Sequence, residues 1–171
     1  MAVETLVSVE EYLNTSYEPD REYVDGVLVE RNVGESWHSW VQRNILLALS
    51  VKYPQIFPFP EFRGRTRATR YRIPDVCVTL SPPKTRVLTE AAFIAIEIVS
   101  PDDRVSRFGE RLKEFEALGT PNIWVVDPEA RELFVFCDGN LLEVKGDVLA
   151  TDNPRLELTR GEIFKDLDKL A

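Results

Sequence analysis

The chain has few residues of the kinds that staple or metallate small folds. Its 171 residues include two cysteines and one histidine. Cys77 and Cys137 stand in apolar, alternating stretches with no partner motif, which argues against a disulfide framework or a thiolate metal site and leads us to expect two buried, reduced thiols. No apolar run reaches the roughly 18 residues that a membrane span needs. The opening "MAVETLVSVEEYL" has no basic region followed by an apolar stretch, so a secretory signal is not expected and a cytoplasmic location is. Internal repeats and low-complexity tracts are also missing. Positive charge is in the minority, 21 basic against 29 acidic residues for a net charge of −8, which excludes a uniformly basic coat for nucleic acid. What is present is ordinary for a globular protein, with 44% hydrophobic and 10% aromatic residues. The length suits one domain, and residues 1–171 are read as such.

Against this acidic background, the ten positions from Arg63 to Arg72 hold five arginines: Arg63, Arg65, Arg67, Arg70 and Arg72. With Glu61 included, the window 61–72 carries +4, so the rest of the chain carries −12 of the total −8. Arg63, Arg65 and Arg67 share one face of an extended strand, and Arg70 and Arg72 share a parity that leads toward Asp75. Arginine's planar fork suits phosphate, and the ribbon is expected to conduct a nucleic-acid backbone. Protection of an exposed edge strand, or pairing with the chain's own acids, would use the same residues.

The pattern of elements is mixed. Ser8 and Glu11 have capping-box spacing, with Val7 and Tyr12 placed as a hydrophobic staple, so a short helix is expected from about Val9. "EYVDGVLVE" turns at Asp25-Gly26, a strong hairpin signal. "WHSWVQRNILLALSVKY" reads as an amphipathic helix that ends before Pro54. "QIFPFPEFR", "RYRIPDVCVTL" and "AAFIAIEIVS" read as strands. A second long helix is expected over about 104–118, stopped by Gly119 and Pro121. "NIWVVD" and "ELFVFC" are strands, the latter turning through Asp138-Gly139-Asn140 into "LLEV", and Thr159 with Glu162 caps a final helix in "TRGEIFKDLDKL". This order gives an α/β fold, a mixed sheet flanked by helices.

Two acids stand out. Glu97 lies in "AAFIAIEIVS", apolar on both sides as a central strand covered on both faces would be. A carboxylate there has to be neutralised, paired or bound to a metal ion. Asp75 presents the same problem in "IPDVCVTL", and Pro74 marks a strand start, edge or bulge where a side chain can be re-aimed. Two such acids on neighbouring strands repel unless a cation lies between them, and hard oxygen ligands suit Mg²⁺ or Mn²⁺. A structural pairing of both with arginines is the alternative.

The ordered set of Pro74-Asp75, Glu97 in an apolar strand and a following basic helix resembles the PD-(D/E)XK nuclease superfamily and, within it, the Uma-type restriction endonuclease domain of bacteria. The likeness takes in "VEEYL", "EYVDGVLVE", His38, "IPDVCV", "EIVSP", "GERLKEFEALGTPNIWVVDP" and the closing strands. It implies a restriction-endonuclease-like core and metal-dependent phosphodiester hydrolysis, with nucleic acid, foremost DNA, as partner and a homodimer as the usual assembly. Asp75 and Glu97 match the metal-binding acids, and the backbone carbonyl of Ile98 matches a third ligand. Val99 falls where the superfamily has lysine. In the Uma-type pattern the lysine lies on the next helix in a stretch resembling D-x-G-E-K, where this chain has Arg107, Phe108, Gly109, Glu110 and Arg111.

Helix geometry places Arg111 on the apolar arc of Phe108, Leu112, Phe115 and Leu118, with Lys113 pointing away. Guanidinium stays protonated, so Arg111 can position phosphate but cannot serve as a base. His38 shares a face with Val41, Ile45 and Leu49 and points inward, as an active-site residue or as a hydrogen-bonded core histidine. Glu22 is either a further acid near the metal or a solvated strand residue. Asp127 before Pro128 reads as a turn former, and Trp37, Trp40 and Trp124 as core or interface residues. Two functions follow: a metal-dependent endonuclease, or a degenerate relative that acts as a nucleic-acid-binding or protein-interaction module.

Overall fold

The computed structural model describes residues 6–31, 35–101 and 105–170, with the side chains of 105–107 outside the described set. Its first element is a helix, α1 (Val9–Asn14), capped by Ser8, whose hydroxyl accepts the Glu11 N–H. Tyr12 of α1 is fully buried with Tyr23 and Tyr71, and Val7 packs on the same cluster as the staple requires.

Strands β1 (Arg21–Val24) and β2 (Val27–Glu30) pair across the two-residue turn. Asp25 and Gly26 take φ of 50° and 96°, the left-handed pair that such a turn needs. Helix α2 (Ser36–Lys52) buries Val41, Ile45 and Leu49 completely. Each such aliphatic side chain contributes about 1.5–3 kcal/mol relative to exposure. Strand β3 (Phe57–Pro60) follows, then β4 (Gly64–Arg67) and β5 (Arg70–Arg72). Next come β6 (Val76–Thr79), β7 (Ile94–Ile98), helix α3 (Val105–Leu118) and β8 (Asn122–Asp127). A hairpin of β9 (Glu132–Cys137) and β10 (Asn140–Glu143) turns on Asp138 and Gly139, both at positive φ. A small ribbon of β11 (Val148–Ala150) and β12 (Glu157–Thr159) leads into α4 (Arg160–Ile163).

The strands form a six-stranded sheet in the order β10-β9-β8-β7-β6-β3 and a four-stranded sheet in the order β2-β1-β5-β4. Within the large sheet only β7 and β8 run parallel, joined through α3, as a crossover connection permits. Alternation divides the residues of β7 between two cores. Ile94, Ile96 and Ile98 pack toward α2, while Ala95 belongs to the cluster with Leu112 and Phe115 of α3. Glu97 shares the parity of Ala95 and so faces α3. Among the described residues no helix is long and apolar enough to cross a membrane.

Three expectations are revised. "RYRIPDVCVTL" is not one strand but two, β5 in the small sheet and β6 in the large one, because Pro74 cannot donate to a ladder and the chain changes sheets around it. The final helix closes after one turn. Its capping box between Thr159 and Glu162 is present, but Asp166 at φ 60° interrupts the helical path before a short 3₁₀ turn over Leu167–Leu170. Cys77 is buried and unpaired, whereas Cys137 is exposed at the end of β9, beside Asp138 at the hairpin tip.

Candidate active site

Asp75 and Glu97 lie next to each other because β6 and β7 are antiparallel neighbours. Val76 stands opposite Ile96, and extending that register by one residue leads to Asp75 and Glu97. Both are buried, at 6% and 1% exposure. The sheet change at Ile73-Pro74 aims Asp75 inward. Its carbonyl accepts from the Glu61 N–H at 3.2 Å and from Gln42 Nε2 at 2.8 Å, which fixes the backbone. Its carboxylate is fully engaged. Oδ1 accepts from Arg31 Nη2 at 2.8 Å and meets His38 Nε2 at 3.3 Å, and Oδ2 accepts from the Ile98 N–H at 2.7 Å. Burial alone would push the Asp75 carboxyl up. The His38 hydrogen bond and charge, Arg31 and the Ile98 N–H outweigh it and hold it below the usual range.

Glu97 is the opposite case. Oε2 lies 3.2 Å from Arg111 Nη2, but Oε1 is buried and accepts no hydrogen bond from the described residues. Burial raises its carboxyl to about 8; Arg111 pulls it down, while the charges of Asp75 and Glu22 push it up. Buried polar atoms without a partner are uncommon and are often explained by a group that binds there.

Glu22 is buried at 1% exposure rather than solvated. One carboxylate oxygen accepts from the Ile73 N–H at 3.0 Å and the other from Arg72 at 2.9 Å. Arg72 also binds Glu114 of α3, which accepts in addition from Arg70 at 2.7 Å and Thr66 at 2.8 Å. Burial pushes the Glu114 carboxyl up, but Arg72, Arg70 and Thr66 prevail and bring it down to about 2. Arg70 extends the network to Asp25 and Glu110. The chain of ion pairs from Glu22 to Glu110 ties α3 to the small sheet.

This network divides the arginine ribbon. Arg70 and Arg72 are held by the chain's own acids, and Arg63 pairs with Asp20 at 2.6 Å while lying over the Tyr12 ring. Arg65 and Arg67 are exposed and make no ion pair among the described residues. They stand on β4, an edge of the small sheet.

His38 is buried on the face it shares with Val41, Ile45 and Leu49. A cleft of about 280 Å³, lined by Trp37, His38, Val99, Ser100 and Asp127, opens beside it. Arg111 points inward at Glu97, and Lys113 is exposed, as the arc requires. The Arg107 side chain lies outside the described residues. Asp127 accepts from the Glu129 and Ala130 N–H groups at 2.9 Å, the turn role expected of it. Trp124 is core, and Trp37 and Trp40 pack against the same cluster. The residues that sequence reading passed over are Arg31, Gln42 and Glu114. Glu114 had a signal: at about 100° per residue it falls beside Leu118 on the edge of the apolar arc. Arg31, at the end of a hairpin, had none.

A mixed sheet with a buried aspartate and glutamate at neighbouring strand ends is the core of a restriction-endonuclease-like protein. Over residues 9–162 the chain matches the family described as "Uma2: Putative restriction endonuclease", and it belongs to that family. Among solved structures, it is similar to a "putative nuclease belonging to DUF820" from Anabaena variabilis ATCC 29413. The TM-score is 0.76 at 21% identity, over 92% of this chain and 97% of that one, and the likeness shows a common fold. No curated protein matches the chain.

Proposed function

We propose that this protein is a divalent-metal-dependent nuclease that hydrolyses phosphodiester bonds in nucleic acid, DNA foremost. The observation that carries this reading is the Glu97 carboxyl, buried beside Asp75 with Oε1 accepting no hydrogen bond from the described residues. The residues fit a hard cation. Among the described residues no group of three or more His, Cys, Asp or Glu is arranged as a protein-only cage. Two carboxylates with water and substrate oxygens are, however, the donor set that Mg²⁺ or Mn²⁺ takes at phosphate sites. Asp75 and Glu97 would hold it, joined by the Ile98 carbonyl on the family pattern. When bound, such an ion lowers the pKa of the attacking water and offsets charge on the phosphate.

The chain's own groups divide the remaining work. Arg111 keeps its proton at any working pH, so it steadies phosphate charge and does not take a proton. His38 orients Asp75 through Oδ1. Glu22 fixes the Ile73 N–H and Arg72, and so the backbone that leads into Asp75. Arg65 and Arg67 are the two ribbon arginines left to contact a nucleic-acid backbone. A cytoplasmic homodimer is the expected setting.

A second reading rests on a specific observation. Asp75 and Glu97 already have guanidinium partners, Arg31 and Arg111, as in a nuclease fold that keeps binding and has lost catalysis. Cleavage of plasmid and single-stranded substrates with Mg²⁺ or Mn²⁺, comparing wild type with Asp75→Ala, separates the two. Metal-dependent cleavage abolished in the variant supports the nuclease. Cleavage equal in both removes it. Binding without cleavage selects the second reading.

A further inference from the structure

Arg31 directly follows β2, far from the arginine ribbon in the sequence, yet among the described residues its guanidinium is the group nearest the Asp75 carboxylate after the Ile98 N–H. Nη2 lies 2.8 Å from Oδ1 and Nη1 lies 3.4 Å from Glu61, whose side chain is half exposed. Asp75 does not need Arg31 for its hydrogen bonds alone, since Oδ1 also meets His38 and Oδ2 has the Ile98 N–H. A phosphate brought to Asp75 comes within reach of the same fork. The Glu61 contact is long, and its exposed partner readily turns to water. Arg31 meets Asp75 and Arg111 meets Glu97, so one guanidinium stands on each acid of the pair. Arg63, Arg70 and Arg72 are held by acids away from Asp75, whereas Arg31 stands on Asp75 itself.

We infer that Arg31 is a further substrate-binding residue, its guanidinium contacting a backbone phosphate of the nucleic acid beside Asp75. This rests on the nuclease-fold reading of the site but does not require catalysis. In that role Asp75 holds the fork in place when no nucleic acid is bound, and phosphate oxygens replace the carboxylate as its partner. Planar, bidentate recognition of phosphate is what arginine does better than lysine.

The test is oligonucleotide binding in excess chelator, by fluorescence anisotropy over a range of salt. Arg31→Met, which keeps the apolar stem, is expected to weaken binding at least fivefold and to reduce the salt slope by about one phosphate contact. Arg31→Lys, which keeps the charge, is expected to weaken it less and to leave the slope. Asp75→Asn, which removes the competing carboxylate, is expected to tighten binding about two- to fivefold, and the Asp75→Asn/Arg31→Met double variant to lose that gain. Thermal melts establish that each variant is folded. Wild-type affinity and slope in a folded Arg31→Met, or the same gain from Asp75→Asn with methionine at position 31, would overturn the inference and leave the nuclease reading standing. Failure of the wild type itself to bind any single-stranded or duplex oligonucleotide removes the nucleic-acid reading, and this inference with it.

Discussion

Replacing Glu97 by glutamine should make the chain more stable than wild type at alkaline pH and not at acid pH. Burial, reinforced by Asp75 and Glu22, lifts the Glu97 carboxyl from its ordinary 4.5 to about 8. Between those values the folded chain carries a proton here that the unfolded chain has released. Stability from this position is therefore fully present below pH 4.5 and is lost as pH rises through about 8. At about 1.4 kcal/mol for each tenfold change, the whole span is on the order of 5 kcal/mol. Glutamine is nearly isosteric with the protonated acid and does not titrate. Below the titration range Glu97 is itself neutral, so the exchange removes no charge toward Arg111, and other carboxylates cancel in the comparison. Urea denaturation of wild type and Glu97→Gln from about pH 5 to about pH 9 should thus give curves that diverge steadily, with the variant gaining. Parallel curves would refute the claim that Glu97 holds a proton in the folded protein. Added Mn²⁺ should stabilise wild type by mass action, more strongly near pH 8 than near pH 6, and should leave the variant unmoved.

Three further outcomes are expected. Glu114→Gln should cost about 1.5–3 kcal/mol by chemical denaturation, because buried Arg72 and partly buried Arg70 lose the carboxylate they share and keep only Glu22, Asp25 and Glu110; the wild-type contribution should be full above about pH 4.5 and be lost as pH falls from there through about 2, where the Glu114 carboxyl takes its proton in the folded chain. Arg111→Lys should raise Mn²⁺-supported cleavage above wild type and Arg111→Ala should lower it, since lysine can orient or accept a proton where guanidinium cannot; equal rates in the two variants would place Arg111 outside the chemistry. Neutralising Arg65 and Arg67 together should weaken duplex binding and lower the salt slope by nearly two, as a filter-binding titration would read, with little change in the melting temperature.

Local chemistry made much of this fold legible. The caps at Ser8 and Thr159 and the turns at Asp25-Gly26 and Asp138-Gly139 are set by residues three or four positions apart, so their signals survive in one dimension. Asp75 and Glu97 were visible for a related reason: a single acid in an apolar strand contradicts its surroundings, and the contradiction marks it as a candidate. His38 and Arg111 followed from helical phase. The fate of the arginines was not legible, because it depends on which acid a distant helix brings near. Arg72 meets Glu114 only through the packing of α3 on the small sheet, at a separation of 42 residues. Pro74 reads as an edge position, a strand start or a bulge, and the change of sheet there was not legible, since proline states that the ladder is interrupted but not where the chain goes next.

The amide proton of Ile98 has a use that needs neither substrate nor cleavage. It points at the carboxylate of a residue 23 positions earlier in the chain. Its resonance frequency therefore depends on whether Asp75 is charged, protonated or drawn toward another partner. One ¹⁵N–¹H cross-peak, assigned by its disappearance in a selectively unlabelled isoleucine sample and by its displacement in Asp75→Asn, can follow the occupancy of this carboxylate through titrations with acid, Mn²⁺ or oligonucleotide. The main chain of β7 carries a spectroscopic gauge of the site built into the protein.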